Sequence, residues 1–213
     1  MFSRYGSHRF RQIVSEIGVF SAVRYSLEHL MDIAANVAAE FVSGLKNQRT
    51  DNTISYSDFC VAKDRDDYYR GRWNYLTRVI KLVEEESPEK VLELGPRSLP
   101  VVKGSDTMDF QSHGQKLTYM HDAKTIPWPV EDKKYDMFIA LQVWEHLDGR
   151  QKEAFREVMR TSRTAILSFP YKRHFPGDCH HGIDEEKIEE WTIGSVPEKV
   201  TRVGPAIIYF FRF

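Results

Sequence analysis

Val91-Leu92-Glu93-Leu94-Gly95 is the stretch from which the rest of this chain can be read. A short apolar run bounded by Pro88 on one side and a glycine on the other reads as a buried strand that stops sharply. Glycine has no Cβ, so the backbone at Gly95 can approach a ligand closely. Outward from this strand the two halves of the chain differ. Downstream, short β-rich runs recur: Asp106–Phe110, Leu117–His121, Tyr135–Leu141 and Thr164–Phe169. Helical patterns lie at Arg150–Thr161 and Asp184–Trp191, and Asp184 is placed to cap the second. Lys199–Val203 and Ala206–Phe213, joined by Gly204-Pro205, read as a closing hairpin. Strands alternating with helices predict a mostly parallel sheet, here of seven strands, with the hairpin making its last strand antiparallel.

Upstream of the strand the spacing is helical. Phe10, Ile13, Val14, Ile17, Phe20, Val23, Leu27 and Leu30 recur at helix period, and the run continues to Phe41 and ends near Gly44. Glu16, Arg24, Glu28, Asp32 and Glu40 interrupt it, so it does not read as a membrane span. Lys46–Ser57 reads as a loop, and a second helix is expected from about Asp66 to Glu86. The chain thus divides into an N-terminal helical segment, 1–87, and an α/β domain, 88–213. The first helices are expected to act as a lid or a homodimer surface, and Tyr68, Tyr69, Arg72, Trp73 and Tyr75 either cover a bound cofactor or pack in the core.

Composition narrows the function classes. The chain has 213 residues and a formal net charge of −1, which gives no global attraction to duplex nucleic acid. Cys60 and Cys179 are far apart and form no metal or redox spacing, so a reducing, cytoplasmic setting is expected. No signal-peptide pattern opens the chain.

Three segments in order resemble class I S-adenosylmethionine-dependent methyltransferases, over roughly residues 75–213. Val91–Gly95 resembles the first motif, a strand ending in Glu/Asp-x-Gly. His121-Asp122-Ala123 with Ile126-Pro127-Trp128 resembles the segment after the third strand, and Tyr135–Ile139 with Trp144-Glu145-His146-Leu147 resembles the fourth-strand segment. The resemblance implies a Rossmann-like α/β fold and S-adenosyl-L-methionine as cofactor. It assigns the cofactor's amino group to Glu93, the ribose hydroxyls to Asp109 and the adenine amino group to Asp122, with Gly95, Pro96, Ala123 and Gln142 completing the binding set. Asp106, three residues before Asp109, is the alternative ribose ligand.

The chain also departs from the family. Gly95-Pro96-Arg97-Ser98-Leu99-Pro100 has one glycine and two prolines where the family has Gly-x-Gly. Roughly a dozen residues separate Gly95 from the second strand, near the minimum for a parallel crossover, so the helices after the first and second strands are expected to be missing. A nicotinamide enzyme would need Gly-x-Gly-x-x-Gly opening a full helix, which this segment lacks.

Candidates for chemistry cluster late in the chain. His146, His174, His180 and His181 all follow residue 140, and a histidine with an unperturbed pKa of about 6.5 is a competent base near neutrality. His146, His180 and His181 are the candidate catalytic residues for removing a proton from an acceptor hydroxyl, with Tyr171 or Asp184 as substitutes. The expected acceptor is a small molecule or glycan. Two other readings stay open: a methyltransferase-like module that binds without chemistry, and a metal-assisted enzyme like the small-RNA 2′-O-methyltransferases. The latter carry Glu-x-x-Glu-His after the fourth strand. Here Gln142 stands in place of the first carboxylate, which weakens a site for a hard cation, although His180 or His181 could complete a Glu/His set. No metal ligand is therefore assigned.

Overall fold

The computed structural model describes Met31 and residues 52–172 and 179–213. The expected helices of residues 9–45, with their lid or dimerisation role, and His174 lie outside the described residues, Met31 apart.

Seven strands form one sheet in the order β3-β2-β1-β4-β5-β7-β6. They are β1 (Val91–Leu94), β2 (Asp106–Asp109), β3 (Tyr119–Met120), β4 (Tyr135–Leu141), β5 (Ser162–Pro170), β6 (Lys199–Val203) and β7 (Ala206–Arg212). β1 to β5 pair in parallel, β7 runs antiparallel to β5, and β6 antiparallel to β7. The Gly204-Pro205 turn joins Val203 to its partner Ala206, as the sequence predicts. The expected seven-stranded α/β sheet with a terminal antiparallel hairpin is the observed one.

Strand alternation splits the core into two layers. Leu92, Leu94, Phe138, Ala140, Leu167 and Phe169 point to one face, where α3 (Gln151–Thr161) and α4 (Glu185–Trp191) cover them through Phe155, Val158, Ile188 and Trp191. Val91, Met137, Ile139, Ile166, Ile208 and Phe210 point to the other, covered by α1 (Tyr56–Arg65) and α2 (Trp73–Glu86). With both faces packed, the central strands are apolar nearly throughout.

The helices expected to be missing are missing: none lies between β1 and β2 or between β2 and β3. Residues upstream of β1 pair with the connection between β1 and β2. Ile54 N donates to Val101 O at 3.0 Å, Lys103 N donates to Asn52 O at 2.8 Å, and Thr53 bridges Val102. Ile54, Phe59, Val101 and Val102 then join the core of that face.

Two expectations need correction. The sequence predicts a loop over 46–57, but α1 begins at Tyr56 and runs to Arg65. This helix buries only Phe59 and Ala62, so it has little periodicity to detect, and its signal is a capping box in which Ser55 and Asp58 bond reciprocally. The helix expected over Asp66–Glu86 is interrupted: a 3-10 turn at Asp67–Tyr69 precedes Gly71 at φ +72°, and only then does α2 start. A left-handed residue cannot continue an α-helix, and glycine takes that conformation without the Cβ penalty. Among the described residues, no helix is long and apolar enough to cross a membrane.

Candidate functional site

The carboxyl ends of β1, β2 and β4, with the segment that follows β3, surround a cleft of about 440 Å³. Gly95, Asp109, Asp122, Ala123, Gln142 and His146 all line it, so six of the ten sequence-derived candidates meet in one place. Parallel sheets gather their loops at this end, where the connections part.

Gly95 sits at φ +63° and its N–H donates to Met108 O at 2.9 Å, which ties the turn to β2. A Cβ here would stand 2.8 Å from Val143 Cγ2. Gly95→Ala is therefore expected to cost about 1–2 kcal/mol for the left-handed backbone alone, with the Val143 contact added. A urea unfolding series checks this: Val143→Ala in the same chain should recover only the contact part. Equal stability of Gly95→Ala and wild type would contradict the strained turn.

Pro96 lies on a smaller cavity behind this turn, shared with Tyr69, Tyr75 and Glu93. The Glu93 carboxylate is buried and accepts from Val101 N at 2.8 Å, Val102 N at 2.7 Å and Ser105 Oγ at 3.0 Å. These partners all belong to the β1–β2 connection, so Glu93 shapes the loop that replaces the crossover helix. Burial pushes its carboxyl from 4.5 up to about 7, against the three hydrogen bonds that favour the charged form. The folded chain then holds this proton more tightly than the unfolded chain does. The resulting stabilisation is full below about 4.5 and is lost as pH rises through about 7. Glu93→Gln should remove that slope from a plot of melting temperature against pH. It should also lower stability by about 1–3 kcal/mol, because an amide NH₂ would face a backbone donor. An unchanged slope would refute the assignment.

Asp109 and Asp106 are separated by the structure. Asp109, at the carboxyl end of β2, is buried on the cleft, with Gln111 N donating to Oδ1 at 3.2 Å and His113 Nε2 at 3.8 Å from Oδ2. Asp106 starts the strand at its other end, where it accepts from Thr118 Oγ1 at 2.9 Å and Tyr135 OH at 2.6 Å. Of the two, Asp109 is the one on the cleft.

After β3, Asp122 Oδ1 accepts from Lys124 N at 2.9 Å, which bends the chain at the cleft wall. Ala123 is buried, and its carbonyl accepts from Trp128 Nε1 at 3.0 Å. Trp128 stacks on Phe138 at 5.6 Å, so the Ile126-Pro127-Trp128 segment is anchored in the core. After β4, Gln142 takes φ +58°, and its N–H lies 3.1 Å from both Ser168 O and Ser168 Oγ. Ser168 Oγ also contacts the buried Tyr75 hydroxyl at 2.5 Å, and burial raises the Tyr75 pKa.

The aromatic residues upstream divide between core and cleft. Tyr69, Trp73 and Tyr75 are buried in the core. Tyr68 lines the cleft, with the Arg72 and Arg97 guanidinium carbons 3.9 and 4.4 Å from its ring centre.

The 3-10 turn Trp144–His146 turns Glu145 inward, 4 % exposed, and His146 outward onto the cleft. Residues 179 and 180 meet it from the segment before α4. Cys179 Sγ lies 3.4 Å from His146 Nδ1 and 3.5 Å from His180 Nδ1, and the two imidazoles stand edge to face at 5.2 Å. On their other sides, His146 Nε2 and His180 Nε2 lie 3.9 and 3.8 Å from Glu145 Oε1. His181 is exposed and is not one of this trio. Cys179 has no metal or redox spacing in the sequence, because proximity in space and not along the chain puts it here. Asp184 accepts from Lys187 N at 3.0 Å and caps α4 as expected. The Tyr171 hydroxyl donates to Glu185, whose carboxyl that bond, its own backbone amide and Lys172 hold down at about 2.

No family model and no curated protein matches the chain. Its fold is similar to that of solved methyltransferases at low identity. The methyltransferase domain of bacterial CtHen1 is 17% identical with a TM-score of 0.48, covering 65% of this chain and 97% of that one. A SAM-dependent methyltransferase from Aquifex aeolicus is 13% identical with a TM-score of 0.43, covering 61% and 86%. A possible histamine N-methyltransferase from Thermotoga maritima is 12% identical with a TM-score of 0.45, covering 70% and 96%. All three neighbours are named as methyltransferases, the second and third as SAM-dependent, and the sheet described above has the order 3-2-1-4-5-7-6 with a terminal antiparallel hairpin.

Proposed function

We propose that this chain is an S-adenosylmethionine-dependent O-methyltransferase that acts on a hydroxyl of a small molecule or glycan. The observation that carries the reading is the single cleft shared by Asp109, Asp122, Gly95 and His146. The reading is supported by two carboxylates on that cleft, which offer acceptors for ribose hydroxyls and an adenine amino group, and by a glycine that lets the backbone approach a ligand. Tyr68 and Phe110 line the same cleft and offer ring surface to a nucleoside or a sugar.

In the transfer, the acceptor oxygen attacks the sulfonium methyl carbon. The carbon–oxygen bond forms as the carbon–sulfur bond breaks, and the thioether product takes the bonding pair. The acceptor proton goes to a base, for which His146 and His180 are the candidates beside the cleft. The protein otherwise contributes position, since an in-line displacement depends on alignment. Calorimetry with S-adenosylmethionine, S-adenosylhomocysteine and NAD tests the reading. The first two should bind at one site and NAD should not. Binding of NAD alone would overturn the cofactor, and cofactor binding without turnover over a broad screen of hydroxyl acceptors would leave a binding module.

A further inference from the structure

We propose that Cys179, His146 and His180 bind a divalent cation of the zinc type, with Glu145 as the buried carboxylate that orients both imidazoles. The donor atoms of the three residues lie within 4.8 Å of one another. The two sulfur–nitrogen spacings fit a tetrahedral site. Zinc–sulfur and zinc–nitrogen bonds of about 2.3 and 2.0–2.1 Å at a tetrahedral angle put sulfur and nitrogen about 3.6 Å apart. The observed Sγ–Nδ1 distances are 3.4 and 3.5 Å.

The outward nitrogens give a second, independent indication. Both Nε2 atoms turn to one oxygen of Glu145, at 3.9 and 3.8 Å, and that side chain is fully buried. A carboxylate behind a ligating histidine holds the proton on the far nitrogen and leaves the near lone pair for the metal. Thiolate and carboxylate together would balance the two charges of the cation. One sulfur and two imidazole nitrogens suit zinc, whereas magnesium and calcium prefer oxygen ligands.

Three protein ligands leave a fourth position open, as in catalytic rather than structural zinc sites. His146 also lines the cleft, so the cation would stand at its edge. There, if the proposed methyl transfer is right, it could hold the acceptor oxygen. The cation site itself does not depend on that reading.

The test uses the full chain stripped of metal. Zn²⁺ titrated against a chelating indicator should bind one equivalent, far more tightly than Mg²⁺. Co²⁺ should give a thiolate-to-cobalt charge-transfer band. Cys179→Ser should abolish that band, and Glu145→Gln should weaken zinc binding about 10–100-fold. Calorimetry with S-adenosylmethionine on Cys179→Ser reports separately on the fold and the cofactor reading. Failure of wild type to bind zinc stoichiometrically would overturn the site. So would zinc binding that Cys179→Ser leaves unchanged, or Mg²⁺ binding as tight as that of zinc.

Discussion

His146→Ala and His180→Ala are each expected to lower turnover about 10²–10⁴-fold, the usual contribution of general acid–base catalysis. The expectation rests on the pair standing edge to face at 5.2 Å beside the cleft, with Glu145 between their outer nitrogens. Affinity for S-adenosylmethionine should stay nearly unchanged in both, because the proposed ribose and adenine acceptors are Asp109 and Asp122. Alanine at His181, which is exposed and outside the trio, should have a smaller effect. The measurement is steady-state methyl transfer to an acceptor found by screening, with cofactor affinity measured alongside. Turnover close to wild type in both His146→Ala and His180→Ala would remove them from the chemistry. Cys179→Ser separates two ways in which they act. A free imidazole base does not need the thiol, whereas a metal site does.

Asp109→Ala is the second large expected effect. Removing a buried carboxylate proposed to accept from the ribose hydroxyls is expected to cost about 1.5–3 kcal/mol in all, the range for hydrogen bonds to a charged group. At about 1.4 kcal/mol per decade, S-adenosylmethionine affinity should fall at least about tenfold and up to roughly 100-fold. Asp106→Ala should leave that affinity close to wild type. Its carboxylate is engaged with Thr118 and Tyr135 at the opposite end of β2. It should instead reduce stability, because Tyr135 is 1% exposed and would lose an acceptor. Paired calorimetry and thermal melts distinguish these results. A larger loss of affinity in Asp106→Ala than in Asp109→Ala would reverse the assignment.

Much of the architecture was legible from local pattern alone. Val91–Leu94, Tyr135–Leu141 and the 199–212 hairpin stand out because buried strands are short apolar runs ended by turn residues. The prolines at 96 and 100 and the short spacing to β2 announced the missing crossover helix, since proline restricts φ and removes a donor. The helix Tyr56–Arg65 escaped because its stability comes from a cap and two buried residues, which leaves almost no periodic signal. The break at Gly71 escaped because an isolated glycine is tolerated within a helical pattern, and only packing decides whether the chain turns there.

For the site, sequence by itself determined which residues stand at the carboxyl ends of strands, because strand ends are set by local pattern. Gly95, Asp109, Asp122 and Gln142, each singled out in the sequence, line one cleft. Only the tertiary structure decided what each carboxylate faces. Glu93 holds the connection that replaces a helix, Asp106 points away from the cleft, and Glu145 turns inward between two imidazoles. Cys179 and His146 are 33 residues apart, and their approach to 3.4 Å depends on β5 and β7 pairing and on α4 packing beneath. Contacts between distant segments follow from how the whole sheet closes its core, and no window of sequence contains that information.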